Sequence, residues 1–512
     1  MEGGIMENSL DKTKDKRLPV WRRKLYRHLP ITRWLPLYKK EDLLSDLIAG
    51  LTLGLTMVPQ SIAYAALAGL TSQYGLYSTF MGGYVYFFLG TIKEVSVGPT
   101  SLMALLTFEF SKELPFEFVC LLTFMSGCVE LLMGIFQFGF LVDFISAPVI
   151  SGFQSATSVI IITSQLKGIL GLRKVKSGRF LENIMNVIYK LPETRFSDVT
   201  LGICCCIVLL LLRRLKDIKL GKMTEKKMKI KKCLWFVSIS RNAIVVLVCG
   251  CIAYYFHENE STPFLLSGKI PEGLPPFRLP RFSTEFGNRT YSFTEMCYEI
   301  GSGIFILPLV SVLANVTIAK AFSTGGSVDA TQEMFTLGMC NILGSFVSSM
   351  PTCGAFTRSA VSNSSGVRTP MSGLFSGSLI LIFLVFFSPY LYYIPRASLS
   401  AVLICAVIFM IDWKTCFLLW KANNKRDLVC FLGTCTACLA LGVEIGLLVG
   451  VAINIAQLMY LWARPSISIE VKETKGGFYY YIKPDIGLFF PAVDFLRNEI
   501  NKKCPGEIPF RA

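Results

Sequence analysis

The stretch Met350-Pro-Thr-Cys-Gly-Ala-Phe-Thr-Arg-Ser359 holds the residues of this chain best suited to holding an ion. It lies between two apolar runs, residues 337–347 and 374–393. Pro351 and Gly354 stop a continuous helix through it. A short helical segment is expected to restart behind the break, led by Thr352 and carrying Arg358. An arginine inside membrane-spanning sequence costs about 2.5–3.5 kcal/mol on insertion scales, so it normally faces a protein-lined cavity and has a task there. A broken helix adds free N–H groups and a positive dipole end at the same point. This chemistry suits an anion held at membrane depth.

A second broken segment has the same form. Gly98-Pro-Thr-Ser101 opens an apolar stretch that ends near Phe110 and is too short to span a bilayer. Thr100 and Ser101 suit a helix cap or, equally, an open N-terminus that holds an anion. In the first span, Val58-Pro-Gln-Ser-Ile-Ala-Tyr64 places polar side chains at mid-membrane. Gln60 beside Pro59 fits a substrate contact, or a bridge between helices. Tyr64 fits a ligand or an apolar wall. Arg358 fits anion attraction, or an ion pair with a buried carboxylate such as Glu130 or Glu333.

These segments need a framework of helices. The chain has 512 residues and is 52% hydrophobic, with apolar runs of roughly 18–24 residues, long enough to cross a bilayer. It is an all-α polytopic membrane protein. The net charge of +16 sits mainly in residues 12–40 and 213–241, beside apolar spans. That is the cytoplasmic-loop pattern, with anionic lipid as a contact, and no nucleic acid is expected. The first 45 residues carry no early apolar core, so no cleavable signal peptide is expected. The two histidines lie outside the spans, and most of the 17 cysteines, including the pair Cys435 and Cys438, lie in apolar runs. They suit packing better than metal binding. With no nucleophile–base pair, metal constellation or nucleotide loop, neither an enzyme nor a cofactor is expected.

Taken in order, residues 1–45 form a basic cytoplasmic arm and residues 46–256 a first membrane repeat. An extracellular loop at 257–297 carries the glycosylation sequons of Asn259 and Asn288. Residues 298–465 form a second repeat, with one span expected over 296–322, a half-helix over 351–362 and a span over 399–411. Each half has a short, interrupted third member, which is the sequence mark of inverted repeats around a midplane site. Residues 466–512 alternate polar and apolar positions and then turn helical. A segment of about 50 residues is too short for an independent core.

Several runs resemble the sulfate permease family of anion transporters. They are Trp34-Leu-Pro36, Asp46-Leu-Ile-Ala-Gly50, Val58-Pro-Gln-Ser-Ile-Ala-Tyr-Ala65, Gly75-Leu-Tyr-Ser78, Val97-Gly-Pro99 and Thr357-Arg-Ser-Ala-Val-Ser-Asn-Ser-Ser-Gly366. The resemblance covers residues 34–465. Tyr392-Tyr-Ile-Pro-Arg-Ala-Ser398, Ala319-Lys-Ala-Phe322 and Ala463-Arg-Pro465 place it nearest the family's animal, sodium-independent branch. It implies a seven-plus-seven inverted repeat of about 14 spans with two half-helices. A core domain would move against a gate domain like an elevator, and a cytoplasmic STAS domain would follow. Of that domain, residues 466–512 are the truncated start.

The family's anion site would fall on Gln60, Tyr64, Thr100, Ser101, Ala355, Phe356, Thr357 and Arg358. Ala314 stands where proton-coupled and sulfate-transporting relatives often carry a glutamate, which implies exchange or facilitation rather than proton coupling. The expected substrate is a small inorganic anion, sulfate first, then chloride, bicarbonate or oxalate. A homodimer in the lipid bilayer is expected, in the plasma membrane ahead of a lysosomal or other endomembrane, with both termini cytoplasmic. Rival readings are an anion channel or voltage-driven motor on the same scaffold, and a non-transporting partner of full-length copies.

Overall fold

The computed structural model describes residues 19–503 apart from 113, 141–145, 173–179, 216–230, 232, 239, 260–262, 268–272, 287–288, 324–327, 475–476, 486 and 488. Asn288 of the second sequon, the first 18 residues of the basic arm and most of the basic run 213–241 therefore lie outside the described residues. The chain divides into two compact units, Met1–Asp143 with Ser155–Ile411, and Phe144–Gln154 with Asp412–Ala512. Among the described residues, eight helical stretches are long and apolar enough to cross a membrane.

The first half contains α1 (Lys40–Leu67), α2 (Ser72–Leu89), strand β1 (Val97–Gly98), α3 (Ser101–Ser111), α4 (Phe116–Ile135) and α5 (Ala147–Ile169). It ends with the short amphipathic α6 (Phe180–Tyr189), α7 (Phe196–Arg214) and α8 (Arg241–Glu258). A hairpin of β2 (Thr284–Phe286) and β3 (Arg289–Tyr291) and the short α9 (Phe293–Ile300) lead into the second half. That half contains α10 (Gly303–Phe322), α11 (Ala330–Phe346), strand β4 (Cys353–Gly354), α12 (Phe356–Ser364), α13 (Met371–Ile382) and α14 (Arg396–Val407). It ends with the short α15 (Trp413–Lys421), α16 (Lys425–Leu441) and α17 (Val443–Ala463).

The order of elements therefore runs twice. α1 and α10 each enclose a proline, Pro59 and Pro308. α3 and α12 each follow a two-residue strand. The two strands pair antiparallel, Val97 with Gly354 and Gly98 with Cys353. This register exchanges equivalent positions, as the two halves of an inverted repeat do around their axis.

Small residues let the helices of the first unit approach closely, the usual device where lipid tails give no hydrophobic drive to association. α4 and α11 cross at Gly127 and Gly338, where a methyl group on Gly338 would lie 2.6 Å from Leu131 N. α1 is fastened at its start to the loop after α12. Asp46 Oδ1 accepts from Arg368 N at 2.8 Å and Thr369 N at 3.1 Å, while Arg368 Nη1 meets Asp42 Oδ1 at 2.9 Å.

In the second unit, Asp412 caps α15 by accepting from Thr415 N at 3.0 Å, and Ser151 Oγ donates to its other oxygen at 2.7 Å. α16 and α17 pack on one another. β5 (Ile467–Thr474) and β6 (Gly477–Pro484) form an antiparallel hairpin, followed by α18 (Val493–Lys503).

Three elements differ from expectation. The span expected over 296–322 is two helices, because α9 is fixed by the Ser292–Glu295 capping box and ends at Gly301 with φ +58°. The half-helix begins at Phe356 rather than at Pro351. Asn341 Oδ1 holds Thr352 N at 2.9 Å and Thr352 Oγ1 at 2.8 Å, and β4 pairs with β1, so the backbone before Phe356 is already committed. α15 was not expected at all. Its nine residues, flanked by Asp412 and Asn423, are too short and too polar to show as a span.

Candidate functional site: two half-helices and a buried arginine

β1 and β4 bring the starts of α3 and α12 to one place. The Gly98–Cys353 pair precedes both helices by only a few residues, so the two N-termini share one neighbourhood. They are not equivalent there. α3 is self-capped, with Thr100 Oγ1 accepting from Met103 N at 3.2 Å. No side chain caps α12. Ala355 N donates to Ser96 O at 3.2 Å, so its own N–H is spent on β1's approach. The next N–H groups, from Phe356 onward, are the ones a helix leaves unpaired.

Arg358 lies in the first turn of α12 and is only 2% exposed. Its Nη1 donates to Pro99 O at 2.5 Å and its Nη2 to Ser96 O at 3.4 Å. Its Nε is buried without a partner. Among the described residues no carboxylate pairs with it. A buried charge normally has a counter-charge, because carbonyl dipoles replace only part of its lost hydration. The guanidinium is therefore oriented by backbone oxygens, with its positive charge left uncompensated. Gly98 makes room for it: a methyl group at that position would stand 3.3 Å from Arg358 Nη2 and 3.2 Å from Met57 Cε.

α1 packs against both half-helices. Met57, Gln60 and Tyr64 follow at helical spacing on one face of it, and all three are buried. The Gln60 Oε1 has no partner. The Tyr64 hydroxyl and the Cys353 thiol lie within electrostatic reach of Arg358. Cys353 Sγ is 3.4 Å from Thr100 Oγ1. Tyr64, Thr100 and Arg358, from three helices, thus converge around the paired strands. Ser101 and Ala355 are buried beside them at the helix starts. Phe356 is 43% exposed and packs on Phe322 with ring centroids 5.3 Å apart, and Thr357 is half-buried.

The alternative ion pairs of Arg358 do not form. Glu130 is held by Ser311 Oγ and by Asn341 Nδ2, the latter at 2.7 Å. Glu333 accepts from Tyr86 OH at 3.1 Å, Asn315 Nδ2 at 2.9 Å, Thr91 N at 3.4 Å and Thr91 Oγ1. Both carboxyl groups are fully buried and served by neutral donors. Ser311 and Asn341 escaped the sequence reading because a single Ser or Asn in an apolar helix carries no spacing signal. Among the described residues no group of three or more His, Cys, Asp or Glu side chains could hold a metal ion.

The model of the sulfate permease family matches residues 43–434. The chain is 39% identical to the bovine (Bos taurus) sodium-independent sulfate anion transporter over 489 residues, 94% of this chain and 80% of that one. It is 32% identical to the chloroplastic sulfate transporter 4.1 of Arabidopsis thaliana, over 96% of this chain and 71% of that one. Among solved structures, SLC26A9 superposes with a TM-score of 0.82 at 21% identity, covering 98% of this chain and 81% of that one. The transmembrane domain of the cyanobacterial bicarbonate transporter BicA gives 0.62 at 17% identity, covering 82% and 98%. These structures share the fold; the relatives matched in sequence are named as transporters and permeases, not enzymes. The fold, the paired half-helices and the sequence match agree that this chain belongs to the sulfate permease family.

Proposed function

We propose that the chain carries sulfate and related inorganic anions across a membrane, as an exchanger in which a core bearing the site moves against a gate. One observation carries this reading. Arg358 is buried, held by backbone carbonyls and unpaired with any carboxylate among the described residues, at the uncapped start of α12. An anion at that point would gain both the unneutralised charge and the helix N-terminus. Gln60, Tyr64, Thr100 and Ser101 would complete its surroundings, with Phe356 and Thr357 at the exposed edge.

Exchange also answers an energetic demand. Moving one charge through 100 mV costs about 2.3 kcal/mol, and sulfate carries two. A departing anion offsets that cost without any titrating group. Residues 466–512 would begin a STAS-like segment, and both termini would lie in the cytoplasm beside the basic runs.

The test is reconstitution of the full chain into liposomes with labelled sulfate outside. Saturable uptake that rises several-fold when unlabelled sulfate, chloride or bicarbonate is loaded inside supports exchange. A large unitary anion current, or gating charge without flux, would establish the channel or motor instead.

Gln60 offers a sharper check. If its unpartnered Oε1 marks an amide aimed at substrate, Gln60→Leu should raise the KM for sulfate about 5- to 10-fold, the worth of one hydrogen bond, with expression unchanged. An unchanged KM would leave Gln60 as a helix bridge only.

A further inference from the structure

Glu130 has a hydrogen-bond environment that admits two arrangements differing by one proton. Asn341 Nδ2 donates to its Oε2 at 2.7 Å, and this bond is fixed in direction. Asn341 Oδ1 already accepts from Thr352 N and Thr352 Oγ1, which settles the orientation of the amide. On the other carboxyl oxygen, Oε1, the partner is Ser311 Oγ, which also lies 3.0 Å from Pro308 O. A hydroxyl has one hydrogen. Either Ser311 donates it to an ionised Glu130, or a protonated Glu130 donates to Ser311, which donates to Pro308 O. Neither arrangement strands the Glu130 carboxyl group or the Ser311 hydroxyl.

Glu333 is more tightly committed. Thr91 N and Asn315 Nδ2 can only donate to it, and Tyr86 OH, which accepts from Ile92 N at 3.3 Å, has its one hydrogen left for the carboxyl group; Thr91 Oγ1 is the fourth contact.

The connection from Glu130 to the anion site is short. Asn341 Nδ2 also donates to Thr352 O at 3.1 Å, so one amide holds Glu130 and three polar atoms of Thr352. Cys353 follows directly, pairs with Gly98 and touches Thr100. The other groups facing Glu130 are Ser126 of its own helix, Ser311 of α10, Cys340 of α11 and Cys353 of β4. Among the described residues no lysine, arginine or histidine pairs with it.

We propose that Glu130 is a proton-binding site that sets the affinity of the anion site through Asn341 and Thr352. The step takes one proton from bulk water onto Glu130 Oε1, turns the Ser311 hydrogen from Glu130 to Pro308 O, and leaves the Asn341 bond to Oε2 in place without its charge assistance; no covalent bond of the protein breaks. Protonation removes a negative charge that reaches Cys353, which lies 3.4 Å from Thr100 at the anion site, so anions bind more tightly on the acid side. By linkage, anion binding draws a proton onto Glu130. This inference rests on the anion-site reading. It makes Glu130 a positioning residue, not an anion contact.

The experiment is equilibrium binding of labelled sulfate to the purified full chain in lipid nanodiscs, between about pH 5 and pH 8. Wild type should bind sulfate about 5-fold or more tightly at the acid end, a common size for coupling between sites. Glu130→Gln should bind with one affinity throughout, equal to the acid-side value of wild type. A flat wild-type profile, or a pH dependence kept by Glu130→Gln, overturns the proposal. Infrared titration provides a second readout that needs no bound anion. A carboxylic-acid carbonyl band should appear on acidification of wild type and be missing from Glu130→Gln. If the variant does not fold, the absence of that band in wild type is itself decisive against the proton site. No sulfate binding at any pH would overturn the anion reading instead, while the infrared titration still decides whether Glu130 takes the proton.

Discussion

Arg358→Gln is expected to weaken sulfate binding about 10- to 100-fold, the range of a hydrogen bond to a charged group. Gln keeps one amide for Pro99 O or Ser96 O, so part of the tether survives. What is lost is the charge that no described carboxylate neutralises. Coulomb attraction scales with the product of charges, so a divalent anion loses about twice as much of that energy as a monovalent one. Chloride affinity should therefore fall several-fold less than sulfate affinity. The measurement is competition by sulfate and by chloride against one labelled anion, in the same proteoliposomes, for wild type and variant. Equal losses for both would mean that Arg358 supports the fold of β1 and β4 and that the anion sits elsewhere. Arg358→Lys separates the two roles. It keeps the charge but loses the planar fork that reaches two carbonyls at once, so sulfate should retain its advantage over chloride while overall affinity drops.

The architecture was legible in the sequence because a bilayer imposes long apolar runs, and because the breaks in two of them occur at matching places. Pro99 and Pro351 mark both half-helices in the sequence alone. The start of α12 was misplaced by five residues for a physical reason. Propensity places a helix start just behind a proline, but Thr352 is claimed by Asn341 of the preceding helix and Cys353 by Gly98 in the other half of the chain. The same limit applied to Arg358. Its charge in an apolar setting was plain, and a carboxylate partner was a fair alternative. Only the three-dimensional arrangement shows Glu130 and Glu333 engaged with Ser311, Asn341, Asn315, Tyr86 and Thr91 instead. Short-range signals carried the elements. Long-range hydrogen bonds decided their ends and the partners of their charges.

Gly338→Val should cost more folded protein than any single substitution in the anion site. A Cβ on Gly338 would stand 2.6 Å from Leu131 N and 2.8 Å from Gly127 O, both backbone atoms of α4 that no rotamer change can move. α4 and α11 would have to part. Overpacking of this kind costs about 1–3 kcal/mol by itself. Here the separation also reaches one turn further along both helices. Glu130 follows Gly127 by three residues and Asn341 follows Gly338 by three, and their 2.7 Å bond spans the same crossing. Losing a hydrogen bond to a buried carboxyl group costs about 1.5–3 kcal/mol more. Thr352 would then lose the amide that fixes the approach to β4. The variant should show a Tm lower than wild type by several degrees and a smaller monodisperse fraction after extraction. Gly250→Val is the control, since nothing lies within 4 Å of a Cβ at Gly250. If the two valine variants are equally stable, the α4–α11 crossing is not what holds the half-helices in register.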